Sequence, residues 1–301
     1  MKELTVIGTV YVDIKGYPLG EFVPNGRNAG RVEQFHGGVG RNIVEDIANY
    51  GEKAAFVSLV DKGGIGDDVV RHLEERGVNT SYVLSSKNGM GNWLAIFDET
   101  GEVYANISKR PELMPICGLL ERREDEIFSN SRGLLLELDI DDEIVAMTIA
   151  MAEKYSVPIY GVISNIAIAM ERMAYMRKLE CFVCNRQESS VLFGLDFDKD
   201  IKDRSVDEME RLVATYREKL GFKRLVVTLD HQGSVYAEEN GEHGYCPAEK
   251  VAVVDTTGAG DSFFAGVSIG LSKGWSLAEA CKLGTKMAAK VISVAENVYL
   301  V

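Results

Sequence analysis

Short apolar runs alternate with longer amphipathic stretches along most of this chain. The apolar runs have the length of buried strands and lie at residues 4–8, 54–59, 134–138, 158–162, 181–184 and 225–229. Between them, stretches such as 142–155 and 206–220 repeat apolar residues at helical spacing. This alternation predicts an α/β fold with a mostly parallel central sheet flanked by helices, and a functional site at the carboxyl ends of the strands.

Two stretches interrupt the alternation. Residues 9–35 have little helical periodicity and contain many Gly, Asn and Pro residues, and residues 92–107 have the pattern of a hairpin with its turn at 98–101. Both stretches would be awkward inside a parallel sheet. No repeat or proline-rich linker divides the 301 residues, and we expect one domain over 1–301.

The most informative segment is Asp255-Thr256-Thr257-Gly258-Ala259-Gly260-Asp261. It follows an apolar run at 251–254, which predicts a strand, and precedes a helix-like run at 262–267. A Gly-Ala-Gly turn lets a ligand approach the backbone, and the unpaired N–H groups of a helix start attract an anion. A carboxylate beside that anion needs a task, and Asp261 is suited to take a proton from an attacking hydroxyl. The alternative is an aspartate that only caps the helix.

A second glycine-rich motif is Gly37-Gly38-Val39-Gly40-Arg41-Asn42. Its glycines admit a close ligand, the Asn42 amide can donate and accept hydrogen bonds, and the following apolar residues recur at helical spacing. The motif is not Gly-x-Gly-x-x-Gly, and no Gly-x4-Gly-Lys-Ser/Thr occurs in the chain. The sequence therefore lacks both the dinucleotide-binding and the P-loop fingerprints.

These two motifs, in this order and at this distance, resemble those of the ribokinase-like (PfkB-type) family of sugar and nucleoside kinases. The resemblance covers essentially the whole chain. In that family the Gly-Ala-Gly amides form an anion hole and the last aspartate is the catalytic base. The resemblance thus assigns the catalytic machinery to Gly258, Ala259, Gly260 and Asp261.

The family also has a small β-lid that covers the sugar and often pairs with the lid of a second subunit. This implies that about 9–35 and 90–108 form a lid and that the protein is a homodimer through it. A lid has a physical purpose, because water in the site would compete as the phosphoryl acceptor.

Further site residues are assigned by the same resemblance. Asp13 matches the aspartate that holds sugar hydroxyls, with a solvated turn residue as the alternative. The Asn-x-x-Glu motif of Asn185 and Glu188 is associated with magnesium and its waters, with a helix-surface role as the alternative for Glu188. The full set is Asp13, Gly37, Gly38, Arg41 and Asn42 for the substrate, and Asn185, Glu188, Thr228, Gly233 and Thr256 for the nucleotide, with Glu188 holding Mg²⁺ through water.

Within the family, residues 37–43, 12–17 and 28–32 are most similar to pseudouridine kinases. The Arg41 guanidinium offers five donors in a fixed fork, which suits the carbonyl oxygens of a uracil-type base. The alternative is that Arg41 points away and supports the lid. Three positions depart from the family pattern: Ser108-Lys109-Arg110 after the hairpin, residues 161–164, and Asp230, which stands where the family has a glycine.

The resemblance implies an ATP- and Mg²⁺-dependent kinase that phosphorylates the primary hydroxyl of a ribose-like nucleoside, with pseudouridine as first choice. The alternative is a kinase of a free sugar such as ribose, fructose or a ketodeoxy sugar acid. A non-catalytic nucleoside or sugar sensor is the alternative of another class, which Asp261 disfavours because a sensor needs no base. In this family a monovalent cation such as K⁺ is held largely by backbone carbonyls around the Asp255 loop and the C-terminal segment.

Composition limits the classes of partner that this protein is expected to bind. A net charge of −13 and a pI near 4.9 argue against nucleic-acid polymers and anionic membranes, so we expect small-molecule partners. The chain has no secretory h-region or run of 18 apolar residues, which predicts a cytoplasmic protein. The five cysteines are scattered, so disulfides are not expected, and strand-like alternation around Cys181 and Cys184 favours buried thiols over zinc.

Overall fold

A computed structural model describes residues 2–100, 102–294 and 297–300. Within these ranges the strands are β1 (Glu3–Ile7), β2 (Tyr11–Pro18), β3 (Gly30–Gly37), β4 (Ala54–Asp61), β5 (Asn79–Ser86), β6 (Gly91–Phe97), β7 (Val103–Lys109), β8 (Ser131–Glu137), β9 (Ile159–Val162), β10 (Cys181–Asn185), β11 (Arg224–Thr228), β12 (Gly233–Glu238) and β13 (His243–Pro247). The α-helices are α1 (Val39–Asn49), α2 (Gly64–Glu75), α3 (Pro115–Asn130), α4 (Asp142–Tyr155), α5 (Ile166–Met170), α6 (Met173–Met176), α7 (Arg186–Phe193), α8 (Val206–Leu220), α9 (Ala259–Ser272) and α10 (Leu277–Val291).

The larger sheet has nine strands in the order β13-β12-β11-β10-β9-β8-β1-β4-β5. Its strands pair in parallel from β5 to β11, and the β11–β12 and β12–β13 pairs at one edge are antiparallel. Parallel pairing brings the carboxyl ends of β1, β8, β10 and β11 to the same edge. The predicted α/β fold with a mostly parallel sheet is confirmed.

Helices cover both faces of this sheet, which explains why its strands are apolar along their whole length. On β8, Leu134 and Leu136 pack into one core with α3, α4 and α8. Leu135 packs into a second core on the opposite face, with α1, α9 and α10. All three leucines are fully buried, so a single strand serves two cores.

A smaller four-stranded sheet has the order β3-β2-β6-β7, with the predicted hairpin forming β6 and β7. Because side chains alternate across a strand, Tyr11, Asp13 and Tyr17 share one face. The opposite face is apolar and open to solvent, and its Val32 and Ile107 are 71% and 70% exposed. This small sheet therefore has one face available to a site and one apolar outer face.

The prediction of a strand at 251–254 is wrong. This run is irregular and exposed, with Val253 at 60% and Val254 at 62%. The antiparallel β12 and β13 already occupy that edge of the sheet. The run is held instead by a hydrogen bond from the Val254 N–H to the Ile292 carbonyl (2.7 Å).

The five cysteines are all free, and Cys181 and Cys184 are buried on β10, as the alternation predicts. Among the described residues there is no group of three His, Cys, Asp or Glu side chains placed to hold a metal ion. None of the helices in these ranges has the length and apolar character that crossing a bilayer requires.

Candidate active site

The site centres on the start of α9. Its N-cap, Gly258, has φ +81°, and a Cβ there would stand 2.0 Å from the Asn297 carbonyl oxygen, so only glycine fits. No side chain caps the helix, which leaves the first-turn N–H groups for a ligand. The space beside Gly260 is open to 4 Å. The other predicted motif residue, Thr256, is exposed and accepts the Ala259 N–H through its carbonyl (3.3 Å).

Asp261 lies in the first turn of α9 and faces the side chain of Asn42 on α1. The Asn42 Nδ2 donates to Asp261 Oδ2 at 2.8 Å, across 219 residues of sequence. Burial raises the pKa of Asp261 to about 6, and the hydrogen bond from Asn42 and the charge of Arg41 oppose that rise. Such a carboxylate is ionised at neutral pH and is still basic enough to accept a proton.

A cavity of about 720 Å³ opens beside Asp261, between the small sheet and the carboxyl edge of the large one. Predicted residues Asp13, Gly38 and Asn42 line it together with Asp261. Asn42 is 6% exposed, and its Oδ1 has no hydrogen-bond partner among the described residues. A buried acceptor without a partner indicates a ligand donor such as a hydroxyl.

Asp13 projects from β2 into the same cavity. Burial raises its pKa, against the lowering effect of Lys15 and Arg41. A Cβ at Gly37 would stand 2.5 Å from Asp13 Oδ2, so this glycine allows the carboxylate to lie against the backbone. The sequence thus brings four of its predicted substrate residues, Asp13, Gly37, Gly38 and Asn42, to one place.

Arg41 is the exception. It is 4% exposed and does not line the cavity. Its Nη1 donates to Glu45 Oε2 at 3.0 Å, and its Nη2 donates to the carbonyl of His36, near the carboxyl end of β3. The structure therefore gives Arg41 a supporting position behind Asp13 and Asp261 instead of the predicted position beside a base.

Glu137 and Asp139, at the end of β8, are site residues that the motifs did not reveal. Glu137 accepts hydrogen bonds from the backbone N–H of Thr9 (2.8 Å) and from its Oγ1. Burial and the neighbouring Asp139 raise the pKa of Glu137. The available signal was two acidic residues at the carboxyl end of an apolar strand, next to β1 in the sheet.

A second cavity of about 410 Å³ adjoins the first. The two share the lining residues Thr9, Tyr11, Ser108, Glu137 and Ser164. The second cavity continues between the segment after β7 and the loops after β8 and β9, where Arg110, Asp139, Asp141 and Asn165 line it. The two cavities therefore lie side by side, with these shared residues between them.

The residues predicted for the nucleotide lie outside both cavities, on neighbouring strand ends. Asn185 and Thr228 are register partners on β10 and β11, and Gly233 begins β12 beside Thr228. Asn185 and Glu188 form a reciprocal capping box at the start of α7, each bond at 2.8 Å. Burial raises the pKa of Glu188, and Asp139 adds to the rise.

Asp230 occupies the position where the family pattern has a glycine, and its φ is +51°. Aspartate is one of the few residues that tolerate this left-handed conformation. The turn after β11 thus keeps a glycine-like backbone shape although its side chain differs.

The C-terminal segment makes hydrogen bonds to the same region. Asp46 on α1 is fully buried and accepts hydrogen bonds from Ser262 Oγ (2.6 Å) and from the Tyr299 N–H (2.5 Å). Asn49 donates to the Tyr299 carbonyl at 2.7 Å. Through these bonds α1 connects the residue next to Asp261 with the last described residues of the chain.

Comparison with known proteins now identifies the family. The model of the pfkB family of carbohydrate kinases matches residues 1–298. The chain belongs to this family. It is therefore a sugar or nucleoside kinase, a phosphotransferase with an alcohol group as acceptor, in a family whose ribokinase-like members use ATP.

The chain is 32% identical to a guanosine-inosine kinase of Exiguobacterium acetylicum, over 99% of this chain and 96% of that protein. It is 24% identical to the pseudouridine kinase of Escherichia coli K12, with 96% and 90% covered. In structure it is similar to Arabidopsis thaliana ribokinase complexed with ribose and ATP, with a TM-score of 0.82 and 22% identity over 98% of this chain and 94% of that chain. At that identity the structural likeness shows the fold.

The residues present fit a nucleotide and magnesium. The uncapped start of α9 and the open space beside Gly260 suit a phosphate group. Asn185, Thr228 and Gly233 stand together at adjacent strand ends, where a nucleotide could bind. Glu188 is a single carboxylate at that edge, which suits Mg²⁺ because this ion keeps several of its waters.

Proposed function

We propose that this protein transfers the γ-phosphoryl group of ATP to the primary hydroxyl of a ribonucleoside. The observation that carries the proposal is the contact between Asp261 and Asn42 at the edge of the 720 Å³ cavity. It combines a base, an unpartnered amide oxygen for a substrate hydroxyl and an uncapped helix start for the transferred group. The cytoplasmic location remains a prediction of the sequence.

The chain's own residues supply positioning and proton transfer. Asp13 and Asn42 hold the ribose hydroxyls, so that the primary hydroxyl lies next to Asp261. Asp261 takes the proton of that hydroxyl as its oxygen bonds to the γ-phosphorus and the bond from this phosphorus to the departing ADP breaks. The N–H groups of Gly258, Ala259 and Gly260 stabilise the charge that develops on the transferred group. Magnesium, held through water by Glu188, would neutralise part of the charge of the phosphates.

The second cavity favours a nucleoside over a free sugar. A sugar bound between Asp13 and Asp261 leaves the adjoining 410 Å³ unfilled, whereas a base linked to that sugar can occupy it. The residues Tyr11 and Trp93 add aromatic surface to the wall of the first cavity, and aromatic rings pack well against planar bases.

Among nucleosides we place guanosine and inosine first, because the relative named for them shares 32% of its residues with this chain over nearly its whole length. Pseudouridine, the first choice of the sequence motifs, becomes the second candidate. A free sugar is the third. A sensor without activity is disfavoured by Asp261, whose half-buried carboxylate lies beside Asn42, because a sensor needs no base.

The deciding experiment is a phosphorylation panel with ATP and Mg²⁺. Guanosine, inosine, adenosine, pseudouridine, ribose and fructose are offered as acceptors, and the products are identified by mass spectrometry. We expect the highest kcat/KM for a nucleoside and a kcat lower by about 10²-fold or more in the Asp261→Asn variant. Ribose or fructose outperforming every nucleoside would overturn the nucleoside assignment, and binding without turnover would favour a sensor.

We also propose that the small sheet is a lid and that two lids pair in a homodimer. The support is the apolar outer face of that sheet, formed by Ile14, Val32, Leu94, Ile96 and Ile107, which the register places on one side. An exposed apolar face of this kind is typical of an interaction surface.

Light scattering tests the dimer. Ile107→Asp should reduce the mass from that of a dimer to that of a monomer, because a charge would be buried in the interface. Ile65→Asp, at an exposed apolar position of α2, is the control and should leave the mass unchanged. A monomeric wild-type protein would contradict the proposal.

A further inference from the structure

We propose that the second cavity is the base subsite of a 6-oxopurine nucleoside, in which Arg110 donates to O6 and N7 and Asp141 accepts from N1–H. This inference rests on the proposed nucleoside kinase function and adds the residues that select the base. It concerns one arginine and one aspartate on two different loops that both line the cavity.

The direction of the acceptor follows from the chemistry of phosphoryl transfer. The attacking and leaving oxygens stand roughly in line on opposite sides of the phosphorus. The donor side is marked by the uncapped start of α9, and the loop before that helix contributes Asp255 and Thr257 to the lining of the first cavity.

The body of the acceptor must therefore extend the other way. In that direction the first cavity continues past Thr9, Ser108 and Glu137, which it shares with the second. A base attached to a ribose between Asp13 and Asn42 thus enters the space bounded by Arg110 and Asp141.

Arg110 follows β7 and stands exposed at the mouth of the second cavity. Its guanidinium makes one hydrogen bond to a described residue, from Nη2 to the Asp139 carbonyl. That bond orients the planar group and leaves other N–H donors for a ligand. Two adjacent acceptors, such as O6 and N7 of a 6-oxopurine, match an arginine fork.

Asp141 supplies the opposite chemistry. It precedes α4 but its side chain does not cap that helix, and its carboxylate makes no hydrogen bond within the described ranges. Neighbouring Asp139 differs, since both of its carboxylate oxygens accept from Ser164, at 3.2 Å from the N–H and 2.5 Å from the hydroxyl. Asp141 is therefore the carboxylate of this pair that can accept from a ligand.

This pair of residues discriminates between purines. Guanine and hypoxanthine carry an acceptor at position 6 and a donor at N1. Adenine carries an amino donor at position 6 and an acceptor at N1, so both contacts would be reversed. A site whose polar groups are left unpaired by the wrong substrate rejects it strongly. The 2-amino group of guanine adds a donor near the same carboxylate, which favours guanosine over inosine.

The test measures kcat/KM for guanosine, inosine, adenosine and ribose, with KM for ATP, in the wild type, Arg110→Gln, Arg110→Lys and Asp141→Asn. Losing charged hydrogen bonds should reduce kcat/KM for guanosine and inosine by about 10- to 100-fold in Arg110→Gln, with ribose unchanged. Arg110→Lys should recover only part, since lysine lacks the fork. Arg122→Gln, an exposed arginine of α3, is the matched control.

Calorimetry of guanosine and adenosine binding to the same variants gives a readout independent of turnover. An unchanged guanosine-to-adenosine ratio in both Arg110 and Asp141 variants would overturn the inference while leaving the nucleoside kinase intact. Equal losses of kcat/KM for guanosine and ribose, with a raised KM for ATP, would also overturn the inference. They would indicate that Arg110 binds the phosphates of ATP. A wild type that phosphorylates only free sugars rejects the proposed function first, and the base subsite with it.

Discussion

The two ends of the acceptor space are built in opposite ways. The end at Asp261 is buried and held by hydrogen bonds between α1, α9 and the C-terminal segment. The end at Arg110 and Asp141 is formed by loops, and its arginine is exposed and makes a single hydrogen bond within the described residues. The buried end can hold reacting groups in a fixed geometry, whereas residues on exposed loops can be exchanged at little cost to the fold.

This contrast has an energetic reason. Removing a partner from a buried hydrogen-bond network leaves unpaired polar groups, at a cost of about 1–3 kcal/mol each. Most surface substitutions change stability by about 0.5 kcal/mol or less. Under the proposed function we therefore expect separable effects: substitutions at the Arg110 end should change substrate choice, and substitutions at Asp261 should change phosphoryl transfer itself.

The largest effect is expected from Asp261→Asn. It keeps the size of the side chain but removes the base, so kcat should fall by about 10²-fold or more for every acceptor. The KM for ATP should change little. Asp67→Asn, on the exposed first turn of α2, is the control. Near-normal turnover in a folded Asp261→Asn protein would remove the proposed mechanism.

The same substitution has a second, opposite effect on stability. The folded-state pKa of Asp261, about 6, is above its unfolded value, so ionising the carboxyl disfavours the folded state. Asp261→Asn should therefore unfold at a higher temperature than the wild type at pH 7, and the difference should disappear below the unfolded pKa of about 4. Thermal unfolding at several pH values measures this.

A smaller effect is expected from Asn42→Ala. Because a base works in its deprotonated form, kcat of the wild type should rise with pH through the Asp261 pKa of about 6. The Asn42 hydrogen bond lowers that pKa, so its loss should move the acidic limb to higher pH. It should also reduce kcat/KM for the acceptor by about tenfold. Asn79→Ala, on β5 away from both cavities, is the control and should show neither change. An acidic limb of the kcat–pH profile at the wild-type position in Asn42→Ala would contradict the proposal that Asn42 lowers the pKa of the catalytic base.

Glu188→Gln should have a more modest effect, confined to the metal. Glutamine can still serve in the capping box, so α7 should keep its start. The Mg²⁺ concentration for half-maximal rate should rise, because a neutral amide holds the metal's waters less well than a carboxylate. Kinetics against Mg²⁺ at fixed ATP measures the change. An unaltered Mg²⁺ requirement would leave Glu188 as a helix cap only.

The smallest effect on acceptor choice is expected from Arg41→Gln. Since Arg41 does not line the cavity, the ratio of kcat/KM for guanosine and ribose should stay within about twofold. The protein should nevertheless unfold at a lower temperature, because Glu45, whose side chain is 1% exposed, loses a charged partner. A marked loss of nucleoside preference would indicate that Arg41 contacts the substrate, as the sequence predicts.

The sequence predicts the features that local chemistry determines. The helices expected at 142–155 and 206–220 have these bounds in the structure, and α8 begins with the Ser205 and Glu208 capping box. The motif containing Asp261 marks a helix start because glycines and a following apolar run specify one. These elements depend on residues that are close together in the chain.

Features that depend on how side chains and elements pack together were not predictable in the same way. The direction of Arg41 is decided by Glu45 and the His36 carbonyl, and no motif records that pairing. The run at 251–254 has the composition of a strand, but β13 already forms the sheet edge. Arg110 reaches the second cavity only because the end of β7 packs near the loop after β8.

The brace between Asp46 and Tyr299 has a consequence for the order of folding. It joins residues 253 positions apart, and the Asn42–Asp261 bond spans 219. Contacts of such large sequence separation form slowly, because long loops must close first. During synthesis, the β1–β4–β5 half can fold while the region around Asp261 still lacks its last support. The capacity to transfer phosphate would then be acquired late, only after residue 299 has left the ribosome.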